Sequence, residues 1–190
     1  MTRHCPQVQL FKEPPSHLAQ MALYKVNTGC REQEVCSLQW DWEVQVPTLK
    51  TFVFIVPGEF VKNGDERLVV LNDIARSVVN ARRGKHPTHV FAYKGKPITR
   101  MLNSSWCRVR KTLGLKQVRV HDLKHTFGRR LRAAGASFED RQDLLGNRSG
   151  RMTTHYSAAE LSKLIEAANS VCDRSGNEPE LVVLRRISVS

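Results

Sequence analysis

Closely paired cysteines are missing from this sequence of 190 residues, which has five cysteines at positions 5, 30, 36, 107 and 172. They form no closely spaced pair of the kind that holds zinc, and an odd number argues against a closed disulfide framework. The cysteine pattern therefore predicts a protein of a reducing compartment.

Long apolar runs are also missing. No segment reaches the roughly 18 to 20 consecutive apolar residues of a membrane-spanning helix, and no basic start leads into an apolar stretch of the kind that directs secretion. The sequence contains no internal repeat and no low-complexity tract. We therefore expect a soluble intracellular protein without a membrane segment.

Acidic residues are few relative to basic ones. The chain has 18 aspartates and glutamates against 30 lysines and arginines, a net charge of +12. Between residues 100 and 151 there are 13 basic and 4 acidic side chains, so the charge is concentrated in that stretch. Such a distribution favours a polyanionic partner, through counterion release and long-range steering. Nucleic acid is the first candidate, and an anionic membrane surface is a weaker one.

The hydrophobic content of 41% allows a substantial core, and the length is that of one ordinary domain. Apolar spacing and capping residues predict helices at residues 17–27, 31–39, 72–83, 104–114, 121–134 and 137–146, with one or two more within 152–170. Extended patterns occur at residues 42–46, 52–56 and 67–71. The predicted fold is mostly α with a small antiparallel β-sheet, of the α+β class.

Two local predictions concern the sheet and the core. Asn63 and Gly64 lie between extended segments, which is typical of a tight hairpin in which both residues take positive φ angles. The apolar neighbours of Trp40, Trp42 and Trp106 favour places in the core over base stacking.

Several side chains could form a site that cleaves a phosphodiester without a metal. Such a site needs a nucleophile, cationic donors around the phosphate and an acid for the leaving oxygen. Tyr156 is the candidate nucleophile, Arg31 and Lys124 are the cations, Lys62 is the acid, and His121 is a base or a phosphate donor.

Each of these residues alone also fits an ordinary structural role. Arg31 at a helix start could simply pair with Glu34. Lys62 beside a turn could be a solvated surface lysine, and Tyr156 could be half-buried with its hydroxyl bonded. Only their joint spacing favours a catalytic site.

The spacing of three blocks carries a resemblance. Residues 28–34 read TGCREQE, residues 121–127 read HDLKHTF, and LLGN at residues 144–147 is followed by TTHYS at residues 153–157. In this order the blocks resemble the catalytic domain of a tyrosine recombinase, or phage-type integrase, over residues 18–168. The resemblance implies site-specific cutting and rejoining of DNA through a 3′-phosphotyrosine intermediate, without metal or other cofactor.

The resemblance also implies roles for individual residues. Arg31 is the first arginine that clamps the phosphate, Lys62 protonates the departing 5′ oxygen from a hairpin, and Tyr156 attacks the phosphorus. His121 is the histidine that opens the second block. Glu34 supports Arg31 and holds it in place.

Two positions depart from the family pattern. Lys124 stands where most relatives carry a second arginine, so the charge is kept but the planar, bidentate fork is lost. Asn147 stands where relatives usually have histidine or tryptophan, and its amide can still donate a hydrogen bond. One alternative is therefore a DNA-binding protein of the same fold with reduced or lost catalysis.

Two further alternatives stay open. His121 and His125 are four residues apart on one helix, a spacing that also occurs in helical zinc sites, although the usual glutamate is absent and Lys124 would repel the cation. A packed or capping role suits His125 better. Strand nicking of the type IB topoisomerase kind would use the same chemistry as a recombinase.

The predicted organisation has three parts. Residues 1–16 form a linker or frayed start, residues 17–172 the recombinase catalytic domain, and residues 173–190 a tail that docks on a neighbouring protomer or folds back in cis. By the resemblance, the partners are double-stranded DNA and further copies of the chain, a tetramer on DNA and a monomer or dimer without it. An upstream clamping domain is expected in the complete protein, and the expected location is the cytoplasm, at the bacterial nucleoid.

Overall fold

A computed structural model describes residues 16–101, 104–112, 118–147 and 156–172 of the chain. Seven α-helices lie within these ranges and account for most of the regular structure. They are α1 Ser16–Thr28, α2 Glu32–Cys36, α3 Asp73–Asn80, α4 Ser104–Thr112, α5 Asp122–Ala133, α6 Phe138–Leu145 and α7 Ala158–Asn169. The predicted α+β class with a small antiparallel sheet is confirmed.

The main sheet has three antiparallel strands in the order β1-β2-β3, namely β1 Glu43–Val46, β2 Thr51–Val56 and β3 Arg67–Val69. Val44 pairs with Val53, and Phe54 pairs with Val69. Apolar β-branched and aromatic side chains explain why β2 is the buried central strand. A second, two-stranded sheet of β4 Ala92–Tyr93 and β5 Lys96–Pro97 was not predicted.

The largest hydrophobic cluster packs α1 against α3, α5 and the main sheet. Tyr24, Phe54, Phe91 and Trp106 are fully enclosed in it. The core placement predicted for the tryptophans is confirmed for Trp106, whereas Trp40 and Trp42 are half-buried and pack against the edge of the cluster. In the described ranges, no helix has the length and apolar character needed to cross a membrane.

A second hydrophobic cluster joins α5, α6 and α7 next to β3. Its buried members are Val70, Phe127, Leu131, Leu144, Leu164 and Ala168. Leu145 and Tyr156 are half-buried and pack against the same cluster. This cluster therefore brings the three C-terminal helices and the segment of Tyr156 into one unit.

The helix predicted at residues 31–39 is present, but its predicted C-terminal end was wrong. The helix α2 stops at Cys36, because the residues that follow pair with the loop before β4. Val90 donates a backbone hydrogen bond to Leu38 at 2.9 Å, and Trp40 donates one to Thr88 at 2.9 Å. These pairings use backbone groups that a longer helix would need for itself.

The predicted hairpin is confirmed, since β2 and β3 pair antiparallel, but the prediction that Asn63 and Gly64 form its tight turn was wrong. Ten residues, 57–66, connect β2 to β3, and of the two predicted turn residues Gly64 alone has a positive φ, 78°. The connection folds back on itself, since a Cβ on Gly58 would collide with the carbonyl of Gly64. Its own backbone hydrogen bonds, such as Val61 to Gly58 at 2.9 Å, replace those of a two-residue turn.

The predicted starts of α3 and α6 and the predicted glycine stops after α5 and α6 are confirmed by their capping residues, whereas α3 ends at Asn80 and not at about Arg83. Asn72 caps α3 by accepting a hydrogen bond from the Ala75 amide at 2.9 Å, and Ser137 caps α6 through the Asp140 amide at 3.1 Å. Gly135 and Gly146, with φ of 79° and 59°, end α5 and α6 in the left-handed conformation.

Candidate active site

The turn between α1 and α2 places Arg31 at the start of α2. Gly29 in this turn has φ of 64°, and a Cβ there would lie 2.8 Å from the Phe127 ring and 2.9 Å from the Leu145 side chain. Glycine thus lets the turn approach α5 and α6 closely. The turn that carries Arg31 therefore rests against the second hydrophobic cluster.

Glu34 holds Arg31 through two hydrogen bonds. Its Oε2 accepts from the Arg31 backbone amide at 2.7 Å, and its Oε1 accepts from the Arg31 Nη1 at 3.0 Å. The Glu34 side chain is buried, whereas the Arg31 side chain remains 24% exposed. The buried Glu34 thus holds Arg31 from the interior, and the exposed part of the Arg31 side chain can still contact a ligand in solvent.

Arg67 is part of this arrangement and was not predicted. Its guanidinium forms an ion pair with Glu34 Oε2 and donates through Nη2 to the carbonyls of Thr28, Gly29 and Leu144. Strand alternation could have indicated it, because Arg67 lies on the same inward face of β3 as Val69. An arginine on the buried face of a strand requires a partner.

Lys124 lies close enough to Arg67 and Arg31 for their charges to act on it, and Asn147 contacts Lys124. The Lys124 Nζ donates to the Leu145 carbonyl at 2.6 Å and to Asn147 Oδ1 at 3.3 Å. Lys124 is buried, at 6% exposure, and Asn147 is exposed. The helices α5 and α6 thus bring the second and third predicted blocks together.

His121 lies at the N-terminus of α5, and its ring meets that of His125 edge to face with centroids 4.6 Å apart. Both side chains are exposed, so the packed or capping place predicted for His125 was wrong: position 125 falls on the solvent side of the helix. Among the described residues, no three His, Cys, Asp or Glu side chains gather closely enough to hold a metal ion.

The electrostatics of the site reflect several cations around one buried carboxylate. Burial, followed by the charges of Arg67 and Arg31, lowers the pKa of Lys124 to about 7. Burial also lowers the pKa of Lys25, whose Nζ donates to the Cys30 carbonyl, to about 8.

The pKa values of Glu34 and His121 also shift in directions that suit an anion site. Burial raises the pKa of Glu34, but the Arg67 charge and the hydrogen bonds from Arg31 outweigh burial, so the pKa lies below its usual value. Burial and the neighbouring His125, Lys25 and Lys124 lower the pKa of His121. The site therefore keeps its carboxylate ionised and its imidazole largely neutral near pH 7.

Lys62 lies in the connection between β2 and β3 and is exposed. Within the described ranges, no residue forms a hydrogen bond or ion pair with its ammonium. The structure therefore does not join Lys62 to the cluster of Arg31, Lys124, His121 and Asn147.

Tyr156 immediately precedes α7 and is half-buried against the second hydrophobic cluster. Ser157, the next residue, caps α7 in a capping box with Glu160. Because Gly29 also rests on Phe127 and Leu145, the turn of Arg31 and the segment of Tyr156 adjoin the same cluster. The residues 153–155 of the predicted block lie outside the described residues.

This arrangement can bind an anion. Arg31 comes from the turn before α2, Lys124 from α5 and His121 from the N-terminus of that same helix. The buried carboxylate beside them, Glu34, already pairs with Arg31 and Arg67. An excess of donors over acceptors, partly shielded from water, is what a phosphate group requires.

The model of the phage integrase family matches residues 8–163 of the chain. The integrase of Salmonella phage P22 is 27% identical over 176 residues, which is 86% of this chain and 44% of the relative. The tyrosine recombinase XerC of Staphylococcus haemolyticus (strain JCSC1435) is 29% identical over 153 residues, covering 72% of this chain and 48% of the relative.

A solved structure shares the fold. It is the XerH site-specific recombinase bound to its difH substrate in a pre-cleavage complex, with a TM-score of 0.55 and 19% identity, covering 82% of this chain and 50% of that one. The chain thus spans about half the length of the proteins it matches.

Proposed function

We propose that this chain, which belongs to the phage integrase family, is the catalytic domain of a site-specific DNA recombinase. On this proposal it binds duplex DNA, cuts one strand with Tyr156 and rejoins strands through a phosphotyrosine link. Its relatives are an integrase and a tyrosine recombinase, which supports DNA as the substrate.

The observation that carries the proposal is that residues from three separate sequence blocks lie close together, where we propose that a phosphate binds. Arg31 comes from the turn after α1, Lys124 from α5, and Asn147 from the end of α6. Nothing in the local sequence requires these segments to meet, and a structural ion pair with Glu34 alone would not need Lys124 or Asn147. A phosphate would bind all three.

The proposed reaction is a transesterification. The Tyr156 oxygen attacks the scissile phosphorus, the bond from phosphorus to the 5′ oxygen breaks, and a bond from phosphorus to the tyrosine oxygen forms. The phenolic proton passes to a base, for which His121 is the candidate because its lowered pKa leaves the imidazole neutral near pH 7. Lys62 supplies a proton to the 5′ oxygen, and the reverse step on another strand completes the exchange.

Lys62 has to approach the phosphate for this role, since it is solvated in the unbound protein. It lies within the ten-residue connection 57–66, which holds itself together by its own short-range hydrogen bonds. Phe60 and Val61 pack against the main hydrophobic cluster, whereas residues 62–66 are exposed, so this tip can move without breaking the core. We therefore propose that this tip closes on the DNA.

A pool of nicked duplexes with randomised sequence around the nick tests the proposal. Loss of the short strand past the nick traps any covalent adduct, which denaturing electrophoresis separates from free protein. Wild type should form an adduct, and Tyr156→Phe should form none while keeping its affinity for duplex DNA. Sequencing the trapped strands would then identify the target.

Each of the other possible results would favour one of the alternative functions. Stable binding to duplex DNA without an adduct from wild type would favour a DNA-binding protein of the same fold, which the buried, partly neutral Lys124 also suits. Supercoil relaxation without exchange between two duplexes would favour the type IB topoisomerase alternative. Activity abolished by a chelator would favour the helical zinc site of His121 and His125, as part of a zinc hydrolase.

The assembly and the location are further parts of the proposal. We expect a tetramer on DNA, a monomer or dimer without it, and association with the bacterial nucleoid. Residues 173–190, proposed to dock in trans, lie outside the described residues. Deleting residues 177–190 should weaken DNA-dependent assembly, measured by sedimentation, and unchanged assembly would contradict the trans arrangement.

A further inference from the structure

We propose that Arg67 is a positioning residue that acts through Glu34 to hold Arg31 in its phosphate-binding orientation. The proposal rests on the proposed function, in which Arg31 binds the scissile phosphate. Arg67 itself is 2% exposed, so a phosphate in solvent cannot reach its guanidinium. Any effect of Arg67 on cleavage must therefore pass through a neighbour.

Glu34 is that neighbour. Its Oε2 accepts from Arg67 and, at 2.7 Å, from the backbone amide of Arg31, while its Oε1 accepts from the Arg31 guanidinium at 3.0 Å. Arg67 thus fixes one oxygen of the carboxylate, and the orientation of the carboxylate fixes both ends of Arg31. Without Arg67, burial would favour protonation of Glu34, which would weaken its hold on Arg31.

Arg67 also sets the distance between the two segments that bear the site. Its Nη2 donates to Gly29 at 3.3 Å, in the turn before Arg31, and to the Leu144 carbonyl at 3.1 Å, three residues before Asn147. One planar guanidinium spans both segments, which a lysine ammonium could not do. Gly146 accommodates it, since a Cβ there would lie 2.5 Å from the Arg67 Nε.

A purely structural ion pair would behave differently. A buried pair can often be replaced by apolar side chains at little net cost, and its loss lowers stability without a specific effect on one reaction step. A positioning residue changes the rate of cleavage through Arg31 and leaves general affinity for DNA nearly intact. The two roles therefore separate in kinetics.

The first test is a double-mutant cycle with Arg31→Met and Arg67→Met, using the randomised nicked duplexes described above. We expect Arg67→Met to slow adduct formation on the order of 100-fold, the typical cost of one lost donor at such a site, with a dissociation constant for duplex DNA within about threefold of wild type. The double variant should be no slower than Arg31→Met alone. Multiplicative effects of the two substitutions would overturn the proposal.

The second test does not depend on cleavage. Hydrogen exchange of the Arg31 amide and the ¹⁵N signal of its Nε report how firmly Glu34 holds it. We expect at least about tenfold faster amide exchange in Arg67→Met and an intermediate effect in Arg67→Lys, which retains a charge for Glu34 and also serves if Arg67→Met does not fold. Unchanged Arg31 signals in both variants would overturn the proposal.

Asn72→Ala is the matched control. The Asn72 side chain is as buried as that of Arg67 and also ties separate elements together, since it donates to Asn27 at 3.1 Å and to the Ala168 carbonyl at 3.3 Å. It contacts neither Arg31 nor Glu34. It should lower stability while the Arg31 signals stay as in wild type, and an equal change at Arg31 would mean that general loosening explains the effect.

The two proposals fail separately. If wild type forms no adduct but Arg67→Met speeds exchange of the Arg31 amide, the proposed function fails and the positioning role stands. If wild type cleaves DNA and Arg31 is unaffected by Arg67→Met, the positioning role fails and the proposed function stands.

Discussion

Lys124 donates a hydrogen bond to Asn147 at 3.3 Å, so the two positions that depart from the family pattern contact each other. The acceptor is Oδ1 of the amide, which leaves the amide nitrogen to donate to a ligand. The two departures therefore form one local arrangement, in which a smaller cation and a neutral side chain replace two larger groups.

The contact predicts an energetic coupling between the two residues. In a double-mutant cycle with Lys124→Met and Asn147→Ala at about pH 6, where Lys124 is mostly protonated, we expect a coupling free energy of unfolding of about 1 kcal/mol, because the hydrogen bond is partly buried and its donor is then charged. Denaturant titration measures it. The exposed pair Arg76 and Asp73, at 2.7 Å, is the control and should couple by about 0.5 kcal/mol or less. Equal couplings would contradict the prediction.

The depressed pKa of Lys124, about 7, predicts a pH-dependent affinity for DNA. A bound phosphate favours the charged lysine, so the complex holds more protons than the free protein above about pH 7. Affinity should therefore be fully present at lower pH and fall as pH rises above about 7, by at most about tenfold per unit for one proton. Fluorescence anisotropy at constant ionic strength, from about pH 6 to about pH 9, measures this fall.

Lys124→Arg is the control for the pH effect, since a guanidinium stays charged throughout this range. Lys25, with a pKa of about 8, and His121 titrate in both proteins, so the difference between the two profiles isolates Lys124. Superimposable profiles would show that Lys124 does not change its protonation on binding.

Gly146 predicts a large loss of stability on substitution. Gly146→Ala would strain a left-handed residue and push a Cβ to 2.5 Å from the buried Arg67 Nε. Gly135→Ala has the same kind of backbone, with φ of 79°, but open space around the new Cβ. We expect about 1 kcal/mol for Gly135→Ala and at least about 1 kcal/mol more for Gly146→Ala by thermal unfolding. Similar losses of stability in the two variants would show that the Arg67 side chain moves away from the new Cβ at little cost.

The capping box of α7 predicts a link between Ser157 and the placement of Tyr156. The Ser157 hydroxyl accepts from the Glu160 amide at 3.2 Å, and the Glu160 carboxylate accepts from the Ser157 amide at 2.8 Å. Ser157→Ala should cost about 1 kcal/mol of unfolding free energy and slow adduct formation. The control Ser137→Ala removes the equivalent cap of α6, far along the chain from Tyr156, and should cost similar stability. If both substitutions slowed adduct formation equally, the effect of Ser157→Ala would not be local to Tyr156.

Local physical rules account for the elements that could be predicted. Caps at Asn72 and Ser137 and left-handed glycines after α5 and α6 act within a few residues, so their positions are visible in the chain itself. The end of α2 and the connection 57–66 could not be predicted in this way. Both depend on backbone pairing with residues distant in sequence or on a loop that packs on itself.

The chain alone carries the spacing of the three blocks, the basic charge and the helical periodicity, because each is a property of neighbouring residues. The buried bridge of Arg67 with Glu34, the contact of Lys124 with Asn147 and the solvation of Lys62 needed the folded arrangement. These depend on which segments meet in space, and on how far burial and neighbouring charges shift a side chain from its behaviour in water. No local pattern encodes either quantity.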